Sequence, residues 1–305
     1  MSGAAAPHPD RATPLLRERL RRLFRHLPQA LSGNEEQIHQ MRVAGRRLRV
    51  ALPLLAQKSH GRRVKRALSI LRDLTRAGGL SRDLDVGLAL LEERLRSLDA
   101  SRERAILRRR FRSARTRSRT TMAEALLDLD IARLRRHLRV IVGRRAEGIF
   151  SVFLRLREMR DGSEVFVEDL RLEAGRYDPD ALHRLRRRTR RLRYAAEISD
   201  AIRGQETDAP ALMKKLQDLL GQSHDAHVLA GWLGRQASGA ETAGDAALAE
   251  EARGLEAFFS ERSREHHQAF VEADPAGLAR RALDAFGQAG DGSPKAGGGG
   301  LECAS

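Results

Sequence analysis

An all-α fold built from two copies of one helical unit is what this sequence predicts, on three observations. Apolar residues recur every three or four positions along most of the chain. No stretch alternates apolar with polar residues between turn signals, as a strand does. One arginine-rich segment occurs twice.

From the N-terminus, residues 1–13 are small and proline-rich and predict a disordered segment. Leu16, Leu20, Leu23 and Leu27 then share one helix face, closed by breakers from Pro28 to Gly33. A second helix runs through Ile38 to the breakers at Ser59 to Gly61. Leu68, Leu71 and Leu74 carry a third, with a break expected at Ala77 to Gly79, and Leu84, Leu88, Leu91 and Leu95 carry the next. Further breaks fall at Asp161 to Ser163, Tyr177 to Asp180, Gly204 to Pro210 and Gly239 to Gly244, with Leu212, Leu216 and Leu219 marking a helix between the last two. From about Gly287 the chain is glycine-rich and predicts a flexible tail, 287–305. The folded part is then 14–286, with a first helical repeat over about 14–143 and a second over about 144–286.

The repeat pairs Ile38 to Arg49 with Leu182 to Arg193, at an offset of 144 residues (183 minus 39). His39 matches His183. Arg42, Arg46, Arg47 and Arg49 match Arg186, Arg190, Arg191 and Arg193, and Leu48 matches Leu192. Downstream, Leu71-Arg72-Asp73-Leu74 leading to Arg82-Asp83-Leu84-Asp85-Val86 is echoed by Leu216-Gln217-Asp218-Leu219 leading to His224-Asp225-Ala226-His227-Val228.

The formal charge of +16 and pI near 11.2 come almost entirely from arginine, since lysine occurs only at 58, 65, 214, 215 and 295. A guanidinium forks onto two oxygens of a phosphate or carboxylate, so an acidic ligand is indicated, although codon bias accounts for the same preference. On a helix each residue advances about 100°, and His39, Arg42, Arg46 and Arg49 fall within about 80° of one another. Met41, Ala44, Gly45, Leu48, Leu52 and Leu55 share the packing side. His183, Arg186, Arg190 and Arg193 form the same stripe in the second copy, whereas Arg47 and Arg191 lie outside it and suit surface or interhelix ion pairs. Like charges three and four apart repel, so a stripe present twice calls for a ligand.

These residues resemble the CHAD domain, the conserved histidine α-helical domain, through the segments His39 to Arg49 and His183 to Arg193 together with Leu216 to Gly221 and Arg82 to Val86. The resemblance spans about 14–286. It implies two four-helix bundles related by a pseudo-two-fold axis around a basic central cavity, binding of inorganic polyphosphate, and association with polyphosphate granules. By position it implies His39, Arg42, Arg46, Arg49, His183, Arg186, Arg190 and Arg193 as binding residues. Lys58, Arg62, Arg63, Lys65, Lys214 and Lys215 are secondary candidates. The halves also differ: Thr75-Arg76-Ala77-Gly78-Gly79 stands where the second half has Leu220-Gly221-Gln222, and His227 stands where the first has Asp85, so the two need not contribute equally. CHAD domains are often joined to a CYTH triphosphatase domain, but no Glu-x-Glu-x-Lys segment occurs here, and no triphosphatase activity is expected.

With 4% aromatic residues the chain has few platforms for stacking single-stranded bases, while binding of RNA or another nucleic acid through its phosphate backbone stays open. So does a basic helical scaffold for an acidic protein. His224, His227, His266 and His267 raise a metal site, but two histidines need further ligands, and surface or capping roles are preferred. There is no Walker loop and no Gly-x-Ser-x-Gly elbow. The expectation is a binding protein without cofactor or metal, not an enzyme. Cys303 is the only cysteine, no run approaches the ~18 apolar residues of a membrane span, and the N-terminus lacks signal-peptide order; a cytoplasmic protein is expected.

Overall fold

The computed structural model describes residues 10–144 and 148–288. Eleven helices and no strand occur among them: α1 (Ala12–Leu31), α2 (Glu35–Leu55), α3 (Arg62–Arg96), α4 (Arg102–Leu127), α5 (Ile131–Gly143), α6 (Ile149–Asp161), α7 (Glu164–Ala174), α8 (Pro179–Arg203), α9 (Ala209–Thr242), α10 (Ala246–Glu272) and α11 (Pro275–Gln288).

Local chemistry sets the ends of the two basic helices. Asn34 caps α2 by accepting from the Gln37 amide at 3.0 Å. Asp178 caps α8 by accepting from the Asp180 and Ala181 amides at 3.0 and 3.1 Å, with Pro179 supplying a pre-set first turn. Gly204 ends α8 at φ 69°, a left-handed conformation that only glycine adopts without strain, and donates to the Asp200 carbonyl at 2.8 Å. Similar carboxylate or hydroxyl caps start α4 at Ser101, α5 at Asp130 and α10 at Asp245.

Two expected boundaries are corrected. The chain is helical from Ala12, with Asp10 accepting from the Thr13 amide at 3.0 Å, so the ordered part begins before 14; residues 1–9 lie outside the described ones. At the other end Gly287 and Gln288 still belong to α11, and the rest of the tail, with Lys295 and Cys303, lies outside them too. The break expected at Ala77 to Gly79 does not exist: α3 runs straight through it. Its glycines serve packing instead of turning. A Cβ on Gly78 would sit 3.0 Å from Cδ and 3.2 Å from Cγ of Arg42, so the missing side chain makes room for the Arg42 stem.

The same pairing order occurs in both halves. α2 packs between α1 and α3, with α4 and α5 against α3; α8 packs between α7 and α9, with α10 and α11 against α9. One apolar cluster, around Leu23, Leu48, Leu52 and Leu71, also takes in Val152 and Leu156 of α6 and Ala195, Ile198 and Ile202 of α8; another, around Phe166, Leu170, Leu216 and Phe270, lies within the second half. A third cluster also spans the halves. The far halves of α3 and α4 supply Leu84, Leu91, Leu107 and Phe111; those of α9 and α10 supply Trp232, Leu233, Leu255 and Phe259. Phe111 meets Trp232 edge-on at 4.5 Å, and Gly87 leaves the space for Phe111. Since each buried Leu or Phe contributes about 1.5–3 kcal/mol, the two shared clusters fix the halves relative to one another. The first packs α2 directly against α8. Among the described residues no helix is long and apolar enough to cross a membrane.

Candidate polyanion-binding site

The two basic helices meet where α2 packs on α8. Each buries its apolar side, Ile38, Met41, Leu48 and Leu52 on α2, and Leu182, Leu185 and Leu192 on α8. That leaves the two stripes facing one another, and charges from one stripe act on the other. Arg190 is pushed down to about 9, first by burial and then by the charges of Arg46 and Arg186. Burial, followed by Arg46, lowers Arg42 to about 10. Arg46 and Arg49 are lowered as well, chiefly by burial.

Arginines held together and out of water normally find carboxylates. Among the described residues Arg42, Arg46, Arg49, Arg186 and Arg190 form no ion pair. Arg42, 9% exposed, donates to the Thr75 carbonyl at 3.3 Å, and Arg49 to the Thr75 hydroxyl at 3.2 Å. Buried nitrogens without partners recur at matched positions: Nε of Arg42 and Arg186, and Nδ1 of His39 and His183. Glycines recur beside them. Gly78 lies against the Arg42 stem, and a Cβ on Gly221 would sit 3.3 Å from the Arg186 guanidinium.

At one end the stripes open into a cavity of about 530 Å³. Arg46 and Arg49 of α2 and Arg72 of α3 line one side, and Arg184, Arg187, Arg188, Arg190 and Arg191 of α8 the other; no carboxylate lines it. Its aromatic member, Tyr194, is 2% exposed and lies under the guanidinium groups of Arg193 and Arg47, at 4.9 and 5.4 Å.

The histidine end is closed by α3 and α9. Burial and the Arg82 charge hold His39 below the usual imidazole range; burial, Arg186 and Arg187 do the same to His183. The His183 ring lies 4.4 Å from that of His224, which burial and the His183 charge push down to about 3. His224 is therefore neutral in the free protein.

Of the eight principal candidates the structure brings seven to this double stripe. Arg193 lies apart from the cavity lining: with Arg19 and Arg47 it surrounds Glu197, whose carboxylate takes a forked pair of bonds from Arg47 at 3.0 and 2.9 Å and lies 3.5 Å from Arg19 and 3.7 Å from Arg193. Arg47, outside the stripe by helical angle, is thus an interhelix ion-pair residue. Arg191, equally outside it, is exposed and lines the cavity. None of the secondary candidates lines it. Lys58, Arg62, Arg63 and Lys65 are exposed around the start of α3, Lys214 pairs with Asp218 at 2.5 Å, and Lys215 is exposed. Residues missed from sequence are Arg72, Arg184, Arg187 and Arg188. Arg184, Arg187 and Arg191 carry their own signal, spaced i, i+3, i+7 as a second arginine row on α8.

Among the described residues no three His, Cys, Asp or Glu side chains gather in a metal-binding group. His224 lies against His183 with the rings tilted by 42°, and His267 packs against Tyr177 within hydrogen-bond distance of the Glu173 carbonyl, at 3.1 Å.

The CHAD domain family model matches residues 14–234. Two solved structures are similar over nearly the whole chain. "PptA from Streptomyces chartreusis" is 18% identical with a TM-score of 0.58, covering 93% of this chain and 99% of that one. The crystal structure of the CHAD domain from the plant Ricinus communis is 23% identical with a TM-score of 0.53, covering 92% and 93%. No curated protein matches. At these identities the two structures speak for the fold, and the family match covers most of the chain: this protein belongs to the CHAD domain family.

Proposed function

We propose that this protein binds inorganic polyphosphate, without catalysis, between α2 and α8, in the cytoplasm and in association with polyphosphate granules. One observation carries the reading: arginines from two facing helices are held close and half out of water without an ion pair, no carboxylate lines their cavity, and matched donors in both halves lack acceptors. A phosphate chain brings one negative charge and several acceptor oxygens per unit, which meets both deficits at once. The same reading takes the halves as copies of one helical unit, supported by the matched caps Asn34 and Asp178 and by the glycines beside Arg42 and Arg186.

Nucleic acid is the poorer fit. Single-stranded binders use open aromatic faces, and the Tyr194 ring is buried beneath arginines.

The test is titration of the purified protein with long-chain polyphosphate, in competition with labelled RNA. Polyphosphate displaces RNA at far lower phosphate concentration; the reverse order overturns the choice of ligand, and release of phosphate overturns the non-catalytic part. A bound polyanion raises the pKa of His39 and His183 from their lowered values, so the complex takes up protons. Affinity therefore strengthens as the pH falls through the imidazole range and weakens as salt rises. Binding indifferent to both pH and salt contradicts the model.

A further inference from the structure

A second cavity, of about 310 Å³, lies where the far half of α3 meets α9 and α10, and it shares no lining residue with the arginine cavity. Its middle is apolar, between Leu90 of α3, Ala226 of α9 and Phe259 of α10. Its ends are polar and unlike.

At one end Arg94 lies over Phe258, its guanidinium 4.0 Å from the ring centroid, and donates to the Ser97 hydroxyl at 3.3 Å. The Arg94 Nε is buried with no hydrogen-bond partner. Glu93 lines the same end, yet among the described residues it forms no ion pair with Arg94. The Arg94 guanidinium lines the cavity without a carboxylate partner, so an anion held there supplies the countercharge it lacks.

At the other end stand Gln222, Asp225 and His266. Burial pushes the Asp225 carboxyl up to about 6 and His266 below its ordinary range, so near neutral pH His266 is uncharged while Asp225, still mostly ionised, accepts hydrogen bonds. Small-molecule sites are concave, mostly apolar, hold a few convergent polar groups, and begin at roughly 300 Å³.

We propose that this cavity binds a small planar organic anion, with its anionic group on Arg94, its apolar body between Leu90 and Phe259, and a hydrogen-bonding edge toward Gln222 and Asp225. An uncharged hydrocarbon leaves Arg94 without its acceptor, and an organic cation meets Arg94 and Arg262 with the wrong sign. The site shares no lining residue with the arginine cavity and is a separate site from it.

Calorimetric titration with 6-hydroxy-2-naphthoate tests it, with 2-naphthol as the analogue lacking the carboxylate. The naphthoate binds one to one and is not displaced by long-chain polyphosphate; 2-naphthol binds at least tenfold more weakly. Arg94→Gln weakens the naphthoate at least tenfold, and Leu90→Phe, which fills the cavity, abolishes it. Both variants bind polyphosphate as the unaltered protein does. No binding, equal binding by Arg94→Gln, equal binding of 2-naphthol, or displacement by polyphosphate overturns the proposal. Should Arg94→Gln fail to fold, full retention of binding by Leu90→Phe overturns it by itself.

Discussion

α2 and α8 carry the same stripe in sequence behind equivalent caps, but the arginines beside it have opposite fates. On α2, Arg47 is closed off by the forked pair with Glu197. On α8, Arg184, Arg187 and Arg191 stay exposed and line the cavity, while Arg188 pairs with Asp169 at 2.7 Å at its edge. Equal charges thus become structural or ligand-facing according to where the nearest carboxylate lies. Three predictions break or sharpen this comparison.

The largest effect is expected for Arg46→Ala/Arg190→Ala, which removes one central arginine from each helix. Each charge-assisted hydrogen bond contributes about 1.5–3 kcal/mol, so polyphosphate affinity falls by about 100-fold or more. Arg102→Ala/Arg109→Ala removes the same charge from the exposed face of α4 and changes affinity by about threefold or less, as screened surface charges do. Arg187→Ala/Arg191→Ala, on the α8 rim, falls between them. Equal losses in a titration of all three would mean bulk charge and no site.

Stability responds instead at Glu197. Glu197→Gln leaves Arg19, Arg47 and Arg193 around a neutral group, and the midpoint of urea unfolding drops by the equivalent of about 2 kcal/mol. Asp169→Asn, which frees Arg188 from a more exposed pair, shifts the same midpoint by about 0.5 kcal/mol or less. A large effect at Asp169 with none at Glu197 would invert the assignment of structural and ligand-facing arginines.

The smallest effects separate the two glycines. Alanine in a helix interior is favoured over glycine by about 1 kcal/mol. At Gly221 a methyl meets only the Arg186 guanidinium, at 3.3 and 3.4 Å, and that far end swings aside, so Gly221→Ala raises the melting temperature or leaves it unchanged. At Gly78 it meets the buried Arg42 stem at 3.0 and 3.2 Å and Ile38 at 3.5 Å, which do not yield, so Gly78→Ala lowers stability by about 1 kcal/mol. Thermal unfolding of both decides this; a stabilised Gly78→Ala means Arg42 is not held by the glycine.

Much of this was legible in the sequence. Leu16 to Leu27 and Leu212 to Leu219 gave helices because 3.6-residue periodicity and caps act within one helix. The stripe of Arg42, Arg46 and Arg49, and the exclusion of Arg47 from it, followed from angle alone. The break expected at Gly78 failed because a glycine serving close approach and a glycine serving a turn look alike until the partner side chain is known.

By itself, then, the sequence determined the helical class, the repeated His/Arg segment and the side of each helix on which its charges lie. Only the tertiary structure decided which charges are answered. Glu197 is a helical neighbour of Arg193, but its pairing with Arg19 and Arg47 needs α1 and α2 packed on α8. Arg72 joins Arg190 only because α3 and α8 border one cavity. Asp225 loses its ordinary acidity only because α3, α9 and α10 bury it. Charge is a property of the residue; its neutralisation and desolvation belong to whatever packs opposite, and in this fold that partner is often a hundred or more residues away.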